Sequence, residues 1–408
     1  MKRDSGNSDV RVSVIVPIYN VERFIDKCLT SLKNQQLQNM EFICVDDGST
    51  DESSRIIEKY AQEDKRFKVI YKENGGLVSA RKAGIRQASG QYIGYVDGDD
   101  WVEPEMYQAL YLTAERNQAD LVSSGYYFEG DYITEHYDGV REGLYEKASM
   151  AYLRENAIYH LDSEDVGLRG SLCCKLFRAD LLKRVQEEVS DRLNFSEDKI
   201  CVLSYVLQCS RVYVLKKAFY HYIAHPSSMV HKADTRYLIS VNEVYQSFLK
   251  LYEHPCFTAS MRMQAEIYIT ELLYKGINSR LGFENSNLFW LDPYYLNSMP
   301  EGARVVLYGY GEFARAYRRQ LMARKDLELV GWVAPVCRDM PQKDTEVYSL
   351  ETLRQWEYDV VLIAIKNERK AAEVRKKLVE LGIPCEKIRW YDQKEIFWKY
   401  ARANGWYE

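Results

Sequence analysis

The stretch that decides the fold spans residues 12–47 and reads VSVIVPIYNVERFIDKCLTSLKNQQLQNMEFICVDD. It opens with a β-branched run of the kind that forms buried strands. Ile25, Leu29 and Leu32 then recur at intervals of four and three residues, which places them on one face of a helix. A second apolar run, residues 41–45, follows the helix and ends at two carboxylates. The stretch therefore predicts a strand, a helix and a second strand in succession.

The same alternation continues along the chain. Residues 67–71 and 91–96 read as two further strands, and a helical segment follows each of them. Alternation of this kind predicts an α/β fold, with a mainly parallel sheet that is flanked by helices. In such sheets the ligand crevice lies at the carboxyl ends of the strands. The carboxylates after the second and fourth strands should therefore meet at one edge of the sheet.

The fourth predicted strand ends in an acidic cluster, YVDGDDW, at residues 95–101. Asp97 and Asp99 are two residues apart, so extended backbone would direct both side chains to the same side. Three carboxylates in four residues repel one another unless they face solvent or a cation. A solvated turn is one explanation of the cluster, and a site for Mg²⁺ or Mn²⁺ is the other, because both ions prefer oxygen ligands.

The composition narrows the class of protein. The chain has 408 residues, of which 46% are hydrophobic and 28% charged, and a net charge of -5 with mixed signs predicts no nucleic-acid partner. Nine cysteines without a C-x-x-C pair indicate reduced thiols and a cytoplasmic location. The apolar run at residues 360–365 is too short to span a bilayer. Peripheral contact with the inner face of a membrane and homo-oligomer formation both remain open.

Four segments carry a family resemblance. SVIVPIYN, VDDGSTDES, ENGGLVSARKAG and YVDGDDW occur in this order, each at a predicted strand end or in the loop after it. Together they resemble the nucleotide-sugar-binding half of family 2 glycosyltransferases, which have the GT-A fold. The resemblance covers residues 10–230 and is strongest over residues 12–101. It implies a metal-dependent enzyme of the hexosyltransferase type that moves a sugar from a nucleotide sugar, with a UDP-sugar as the expected donor. The expected acceptor is a glycan or a lipid-linked glycan in surface polysaccharide synthesis.

The resemblance also implies a donor site. The residues that match its donor-binding motifs are Pro17, Tyr19, Asn20, Asp46, Asp47, Asn74, Gly75, Gly76, Arg81 and Asp97. The first motifs would hold the uracil base and the ribose. A carboxylate can accept hydrogen bonds from the N–H group of the base and from the ribose hydroxyl groups. The glycines would let the backbone approach the nucleotide, and Arg81 would reach a phosphate or the base pocket. Without the resemblance, Asp46 reads as a capping or turn residue and Arg81 as a solvated helix residue.

The metal ligands and the catalytic base follow from two further matches. Asp97 and Asp99 match the family's D-x-D motif, which implies that Asp97 meets ribose or metal and that Asp99 holds Mn²⁺ or Mg²⁺ on the diphosphate. The segment FSEDKI resembles the family's ED motif. Asp198 would then be the base of an inverting transfer, and Glu197 would orient or contact the acceptor. The alternative is an ordinary helix cap led by Ser196, with two acids in the first turn.

Three histidines follow in the segment YHYIAHPSSMVH, namely His221, His225 and His231. Related enzymes often supply a basic or metal-contacting residue to the diphosphate from this region. His225 and His231 are the candidates for that role, and His231 is a weak candidate for a metal ligand. The alternative is that they are surface histidines.

The chain divides into three predicted parts. Residues 10–232 form the GT-A domain, residues 233–292 a helical connector and residues 293–400 a Rossmann-like accessory domain. In the last part, GYGEFA at residues 309–314 fits the G-x-G-x-x-A dinucleotide fingerprint. No acidic residue follows at the end of the next strand, which makes NAD binding doubtful. An NAD-dependent sugar-modifying enzyme and a catalytically silent scaffold remain as alternative functions.

Overall fold

The computed structural model describes residues 10–130, 133–160, 165–224, 237–275, 296, 299–309, 312–334, 347–365 and 368–391. The chain forms two compact units, which divide between residues 281 and 282. Each unit has its own sheet and its own hydrophobic core. In the described part of the chain, no helix has both the length and the hydropathy needed to cross a membrane.

The first half of the first unit alternates strands and helices as predicted. Its elements are β1 (Val12–Ile18), α1 (Ile25–Lys33), β2 (Met40–Asp46), α2 (Ser53–Glu63), β3 (Phe67–Tyr71), α3 (Leu77–Gln87) and β4 (Tyr92–Tyr95). β1 lies between β2 and β4, and β3 lies beyond β2, all in parallel pairing. Ile25, Leu29 and Leu32 are buried, which confirms the apolar face predicted for α1.

The second half of the first unit extends the same sheet. Its elements are β5 (Trp101–Val102), α4 (Met106–Asn117), β6 (Leu121–Glu129), β7 (Ile133–His136), β8 (Gly143–Glu146), α5 (Ala148–Glu155), β9 (Tyr159–His160), β10 (Asp165–Val166), β11 (Lys175–Arg178), α6 (Ala179–Glu188), α7 (Glu197–Gln208) and β12 (Arg211–Ile223). The main path of the sheet runs β3-β2-β1-β4-β11-β6-β12-β5, whereas β9 and β10 pair with each other in a separate antiparallel ribbon. β11 is antiparallel to both of its neighbours, whereas β6 and β12 are parallel to each other. The carboxyl ends of β1 to β4, β6 and β12 therefore share one edge with the amino end of β11, and this edge is called the carboxyl edge below.

The helices of the predicted connector are α8 (Tyr237–Leu251) and α9 (Ala259–Lys275). Both helices bury residues in the core of the first unit, including Phe248 and Ala265. Tyr268 adds a polar contact, since its hydroxyl lies 2.8 Å from the Ser196 hydroxyl just before α7. α8 and α9 thus extend the core of the first unit, because their apolar faces are buried against the sheet domain.

The second unit is a smaller α/β sheet. Its elements are β13 (Ala303–Tyr308), α10 (Glu312–Ala323), β14 (Leu327–Val333), β15 (Val347–Tyr348), a 3₁₀ turn (Leu350–Gln355), β16 (Val360–Ile363), α11 (Glu368–Glu380), a second 3₁₀ turn (Cys385–Lys387) and β17 (Ile388–Arg389). The strand order is β15-β14-β13-β16-β17, and all pairs are parallel. The first strand thus lies at the centre, and the chain winds outward from it in both directions.

Candidate active site

The carboxyl edge of the first unit gathers three carboxylates around one arginine. Asp97 follows β4, Glu197 and Asp198 begin α7, and Arg81 reaches them from α3. Arg81 Nη2 lies 3.2 Å from Asp97 Oδ1, and Nη1 lies 3.3 Å from Glu197 Oε1. Nη1 also donates to Asp198 Oδ1. These four residues are called the Arg81 cluster below.

Arg81 lies beneath the carboxylates. Its side chain is 1% exposed, whereas those of Asp97, Glu197 and Asp198 are 29%, 12% and 22% exposed. Although burial acts in the opposite direction, the charges of Asp198, Asp97 and Glu197 raise the pKa of Arg81 well above its ordinary value. We expected Arg81 to reach a phosphate or the base pocket, and the structure places its guanidinium against the acids instead. Its buried Nε has no hydrogen-bond partner among the described residues.

The two neighbouring acids of α7 have different environments. Burial, followed by the charge of Asp198, raises the pKa of Glu197 above the ordinary value of 4.5. Asp198 is paired with Arg81, and its Oδ2 accepts the backbone N–H of Leu172 at 3.1 Å. A guanidinium favours the ionised form of a carboxyl group beside it, and Arg81 contacts both acids. The two acids differ because burial favours the protonated form of Glu197, whereas Asp198 is the more exposed of the two.

Asp97 is held on both oxygens. Its Oδ1 faces Arg81, and its Oδ2 accepts the thiol of Cys173 at 3.3 Å. Burial raises the pKa of Asp97, and the charge of Arg81 opposes the rise. The segment CCKLFR that contains Cys173 stands out in the sequence, but nothing in its pattern indicates that this thiol binds Asp97.

Asp100, to which the sequence assigned no role, ties the acidic loop (residues 97–100) to β12. Its side chain is buried, with Oδ1 accepting Ile223 N–H at 2.8 Å and Oδ2 accepting the Tyr220 hydroxyl at 2.6 Å. The same hydroxyl accepts Asp97 N–H at 3.2 Å. Burial, followed by the charge of Asp99, raises the pKa of Asp100 well above its ordinary value. Sequence reasoning missed Tyr220, because no local pattern indicates a partner 120 residues away.

The acidic loop has the donors that suit a hard divalent ion. Asp97 and Asp99 are both partly exposed at the carboxyl edge. Within the described residues no group of three or more His, Cys, Asp or Glu side chains could hold a metal ion. Mg²⁺ does not need such a group, because it keeps several waters and binds through one or two carboxylates plus substrate phosphates. His225 and His231 lie outside the described residues, and His221 is buried between two glutamates.

The loops after β1 and β2 hold each other in place. Asn20 has a left-handed backbone with φ of 52°, and its Oδ1 accepts Thr50 N–H at 2.8 Å. Asp46 Oδ1 accepts Ser49 N–H at 2.8 Å, and Oδ2 accepts the Ser54 hydroxyl. Asp46 is 2% exposed, so its carboxylate stabilises the loop in this structure.

Asp47 binds the glycine-rich loop before α3. Its two oxygens accept Gly75 N–H at 3.0 Å and Gly76 N–H at 2.8 Å, and Oδ1 also accepts Lys72 Nζ. The amides of these two glycines, which we expected to let the backbone approach the nucleotide, donate to Asp47. Asn74 lies exposed at the tip of this loop.

Two exposed tyrosines flank these loops. Tyr19 follows β1 and is 50% exposed, whereas Pro17 within the strand is buried. Tyr71 ends β3 beside Asp46 and is 57% exposed. The carboxyl edge therefore presents two aromatic rings next to the buried carboxylates of β2, and sequence reasoning identified only Tyr19.

Two features of the described residues bear on NAD binding by the second unit. The carbonyl of Gly309 accepts the indole N–H of Trp332, whose side chain is 3% exposed. β14 ends at Val333 and Ala334 follows, so the position where a ribose-binding acid would stand is apolar among the described residues. The structure thus gives NAD binding no support.

Comparison with known proteins identifies the family. Residues 13–184 match the model of "Glycosyl transferase family 2". The glycosyltransferase EpsJ of Bacillus subtilis, whose own function is uncharacterized, is 34% identical over 63% of this chain and 74% of its own length. The putative glycosyltransferase EpsH of the same organism is 34% identical over 59% of this chain and 67% of its own length.

A solved structure resembles the first unit, and a second family model matches the second unit. The S. aureus TarS fragment 1-349, crystallised with UDP-GlcNAc, superposes with a TM-score of 0.51 at 21% identity, over 70% of this chain and 78% of that chain. This likeness confirms the GT-A fold predicted for the first unit. Residues 301–389 match the family "C2185-like, N-terminal". From its sequence relatives and its fold, the chain belongs to glycosyltransferase family 2.

Proposed function

We propose that this glycosyltransferase transfers a sugar from a UDP-sugar, with inversion, to a glycan or lipid-linked acceptor in the synthesis of a bacterial surface polysaccharide. The observation that carries the proposal is the Arg81 cluster, which brings the carboxylate of Asp198 to the same edge as Asp97 and Asp99. Bacterial relatives that are themselves glycosyltransferases support the reaction class. The UDP donor rests on the match of the four ordered motifs. The reaction would take place in the cytoplasm, at the inner face of the membrane when the acceptor is lipid-linked.

The donor would occupy the carboxyl edge over β1 to β4. Tyr19 and Tyr71, both exposed, would offer ring faces to the base, and Asn20 and Asp46 hold the neighbouring loops in place. Aromatic faces and a few fixed polar groups are what a nucleotide pocket needs. The remaining residues of the proposed donor site are Pro17, Asp47, Asn74, Gly75, Gly76 and Asp97. Arg81 acts on the donor through Asp97, whose carboxylate it orients.

Asp99, with Asp97, would hold Mn²⁺ or Mg²⁺ on the diphosphate. When bound, the ion supplies Lewis-acid stabilisation of the charge that develops on the leaving UDP. Arg81 and Cys173 fix Asp97 for this purpose. The loop that carries Asp99 is fixed because Asp100 accepts a hydrogen bond from Ile223 in β12. The protein residues thus present carboxylate oxygens in a prearranged loop.

Asp198 would remove the proton from the acceptor hydroxyl. The acceptor oxygen forms the new bond to the anomeric carbon as the bond to UDP breaks, and the proton passes to the carboxylate. Each carboxylate oxygen has two lone pairs, so the bonds to Arg81 and Leu172 leave acceptor capacity on Asp198. Glu197, which retains its proton, would donate to the acceptor or to Asp198 and so orient the base.

The substitution Asp198→Asn tests the base. We expect kcat to fall about 10²–10⁴-fold, the usual contribution of a general base, while UDP affinity is kept. Turnover is followed as UDP release with and without acceptor, and UDP affinity by calorimetry with Mn²⁺ present. Asp180→Asn, at an exposed position in the first turn of α6, is the matched control and should behave as the unchanged protein. Loss of UDP binding alone in Asp198→Asn would move this residue to the donor site.

The substitution Asp99→Ala tests the metal ligand. The variant should fold normally, lose Mn²⁺-dependent binding of UDP and lose both transfer and donor hydrolysis, because only one of the two proposed carboxylate ligands, Asp97, then remains to hold the ion. The measurement is calorimetric titration of UDP in Mn²⁺ and in excess chelator. Full activity of the unchanged protein in chelator, or undiminished activity of Asp99→Ala, would contradict the metal assignment.

A further inference from the structure

His221 is buried between two glutamates that lie near the ends of two different strands. Its side chain lies in β12, with Nδ1 2.6 Å from Glu129 Oε1 at the end of β6 and Nε2 3.0 Å from Glu103 Oε1 just after β5. A neutral imidazole has one donor nitrogen and one acceptor nitrogen, and an ionised carboxylate can only accept. Both contacts are therefore satisfied together only when the ring is an imidazolium.

The ring is also stacked between two aromatic side chains. Trp101 lies parallel to it at 3.5 Å between ring centroids, and Tyr127 lies at 4.6 Å. Lys27 Nζ lies 4.3 Å from the Trp101 ring and 3.9 Å from Glu129 Oε2. A cation against the face of an indole is attracted by the ring's electron density. The ring of His221 is thus fixed by stacking on two aromatic side chains as well as by its two glutamate contacts.

This arrangement fixes the residue that follows the acidic loop. Trp101 pairs with His221 where β5 meets β12, and Val102 pairs with Tyr220. The indole N–H of Trp101 is buried and has no hydrogen-bond partner among the described residues. The ring of Trp101 is consequently held by stacking and strand pairing. Asp100, one residue earlier, is bound by Tyr220 and Ile223 on either side of His221.

We propose that His221 is a positioning residue, whose imidazolium clamps Trp101 and so sets the acidic loop that receives the donor. The inference rests on the proposed function, because the acidic loop matters only if it binds the diphosphate and its ion. His221 does not itself contact the donor, since both of its nitrogens bind glutamates.

Charged groups surround the ring. Glu103 and Glu129 face its nitrogens, and Lys27 from α1 faces Glu129 and Trp101. The clamp on Trp101 therefore combines hydrogen bonds to the ring nitrogens with ring stacking.

The substitution His221→Phe tests the clamp, because phenylalanine keeps a stacking ring but removes both hydrogen bonds. UDP affinity in Mn²⁺ should fall about tenfold, because the loop that holds the ion is then set less firmly. The donor KM should rise more than kcat falls, as expected for a residue that acts by positioning. UDP with Mn²⁺ is the probe, measured by calorimetry on the full chain. His254→Gln, in the turn after α8, is the control and should keep the unchanged affinity.

The substitution Glu129→Ala provides a second test that does not depend on the folding of His221→Phe. It removes the acceptor at Nδ1 and leaves the ring and its second contact in place, so UDP affinity in Mn²⁺ should fall about threefold. If His221→Phe and Glu129→Ala both keep the unchanged affinity, the clamp is overturned and the proposed function stands. If the unchanged protein binds no UDP in Mn²⁺, the proposed function fails and the clamp fails with it.

Discussion

At the scale of single residues, Arg81 determines how the acids of the site behave. One buried guanidinium faces three carboxylates, so the charges in the cluster do not balance. Burial, followed by the charge of Asp198, raises the pKa of Glu197. Asp198 accepts a hydrogen bond from the guanidinium. The different roles proposed for two adjacent acids thus follow from their positions relative to one arginine.

The substitution Glu197→Gln should change how stability depends on pH. A carboxyl whose pKa is raised in the folded state stabilises folding at low pH, and this contribution is lost as pH rises from its ordinary value of 4.5 through the folded value. Glutamine carries no such charge, so the melting temperature of Glu197→Gln relative to the unchanged protein should increase with pH. The measurement is a thermal melt series from about pH 5 to about pH 9.

A control residue whose pKa is shifted in the opposite direction accompanies this melt series. Glu63 pairs with Lys33, and the hydrogen bond from Lys33 lowers the pKa of Glu63. Glu63→Gln should therefore show no relative gain in melting temperature as pH rises. If the melting curve of Glu197→Gln follows the unchanged protein at every pH, Glu197 does not carry the excess charge of the cluster.

At the scale of elements, the close contact of α3 with the sheet positions Arg81. The sequence predicts a small-residue face on this helix, with Ala80, Ala83 and Gly84, and the structure confirms the close packing. A Cβ on Gly84 would lie 2.6 Å from Ile15 Cγ2 and 3.1 Å from Val45 Cγ2. α3 therefore lies directly on β1 and β2, which brings the guanidinium of Arg81 beneath the acids.

The substitution Gly84→Ala should destabilise the first unit. Alanine favours the helix by about 1 kcal/mol, but overpacking against the sheet costs about 1–3 kcal/mol, so we expect a net loss of up to about 2 kcal/mol. The measurement is the midpoint of urea unfolding. Gln87→Ala, exposed in the same helix, is the control and should be nearly neutral.

A double-mutant cycle separates the contact from other causes. Ile15→Ala removes the atom that the new methyl group would meet, so the double variant should lose less stability than the sum of the single losses. Simple additivity of Gly84→Ala and Ile15→Ala would show that the destabilisation does not arise from this contact.

At the scale of the whole molecule, the two units have separate sheets and separate cores. The residues that carry the proposed chemistry all belong to the first unit. We propose that the second unit is a Rossmann-like accessory domain that does not use NAD. Its glycine loop is bound by Trp332, and no acid ends β14 among the described residues.

A melting experiment on the full chain tests this division of roles. NAD⁺ and NADH should leave the melting temperature unchanged, because no ribose-binding acid ends β14 among the described residues. UDP with Mn²⁺ should raise it, since a ligand at 100 times its Kd stabilises a folded protein by about 2.7 kcal/mol. A shift with NADH, with no shift from UDP and Mn²⁺, would favour the NAD-dependent alternative.

Much of the fold follows from the sequence alone. The β-branched runs and the periodic apolar positions of α1 predict the alternating elements, and the structure confirms the parallel sheet that they imply. Parallel strands have their carboxyl ends at one edge, so the order of the motifs also predicts that Asp97 lies near the loops of β1 and β2. These predictions succeed because they depend on local patterns and on the geometry of parallel sheets.

The tertiary structure alone decided what each polar group binds. Asp47 binds the amides of Gly75 and Gly76, Asp100 binds β12, and Arg81 lies beneath acids that are 116 and 117 residues away in the sequence. The physical reason is that burial and charge pairing depend on groups distant in the chain. Residue type and spacing thus identify a set of candidate carboxylates, and the folded surroundings of each one determine whether it holds a loop, retains a proton or is available to accept one.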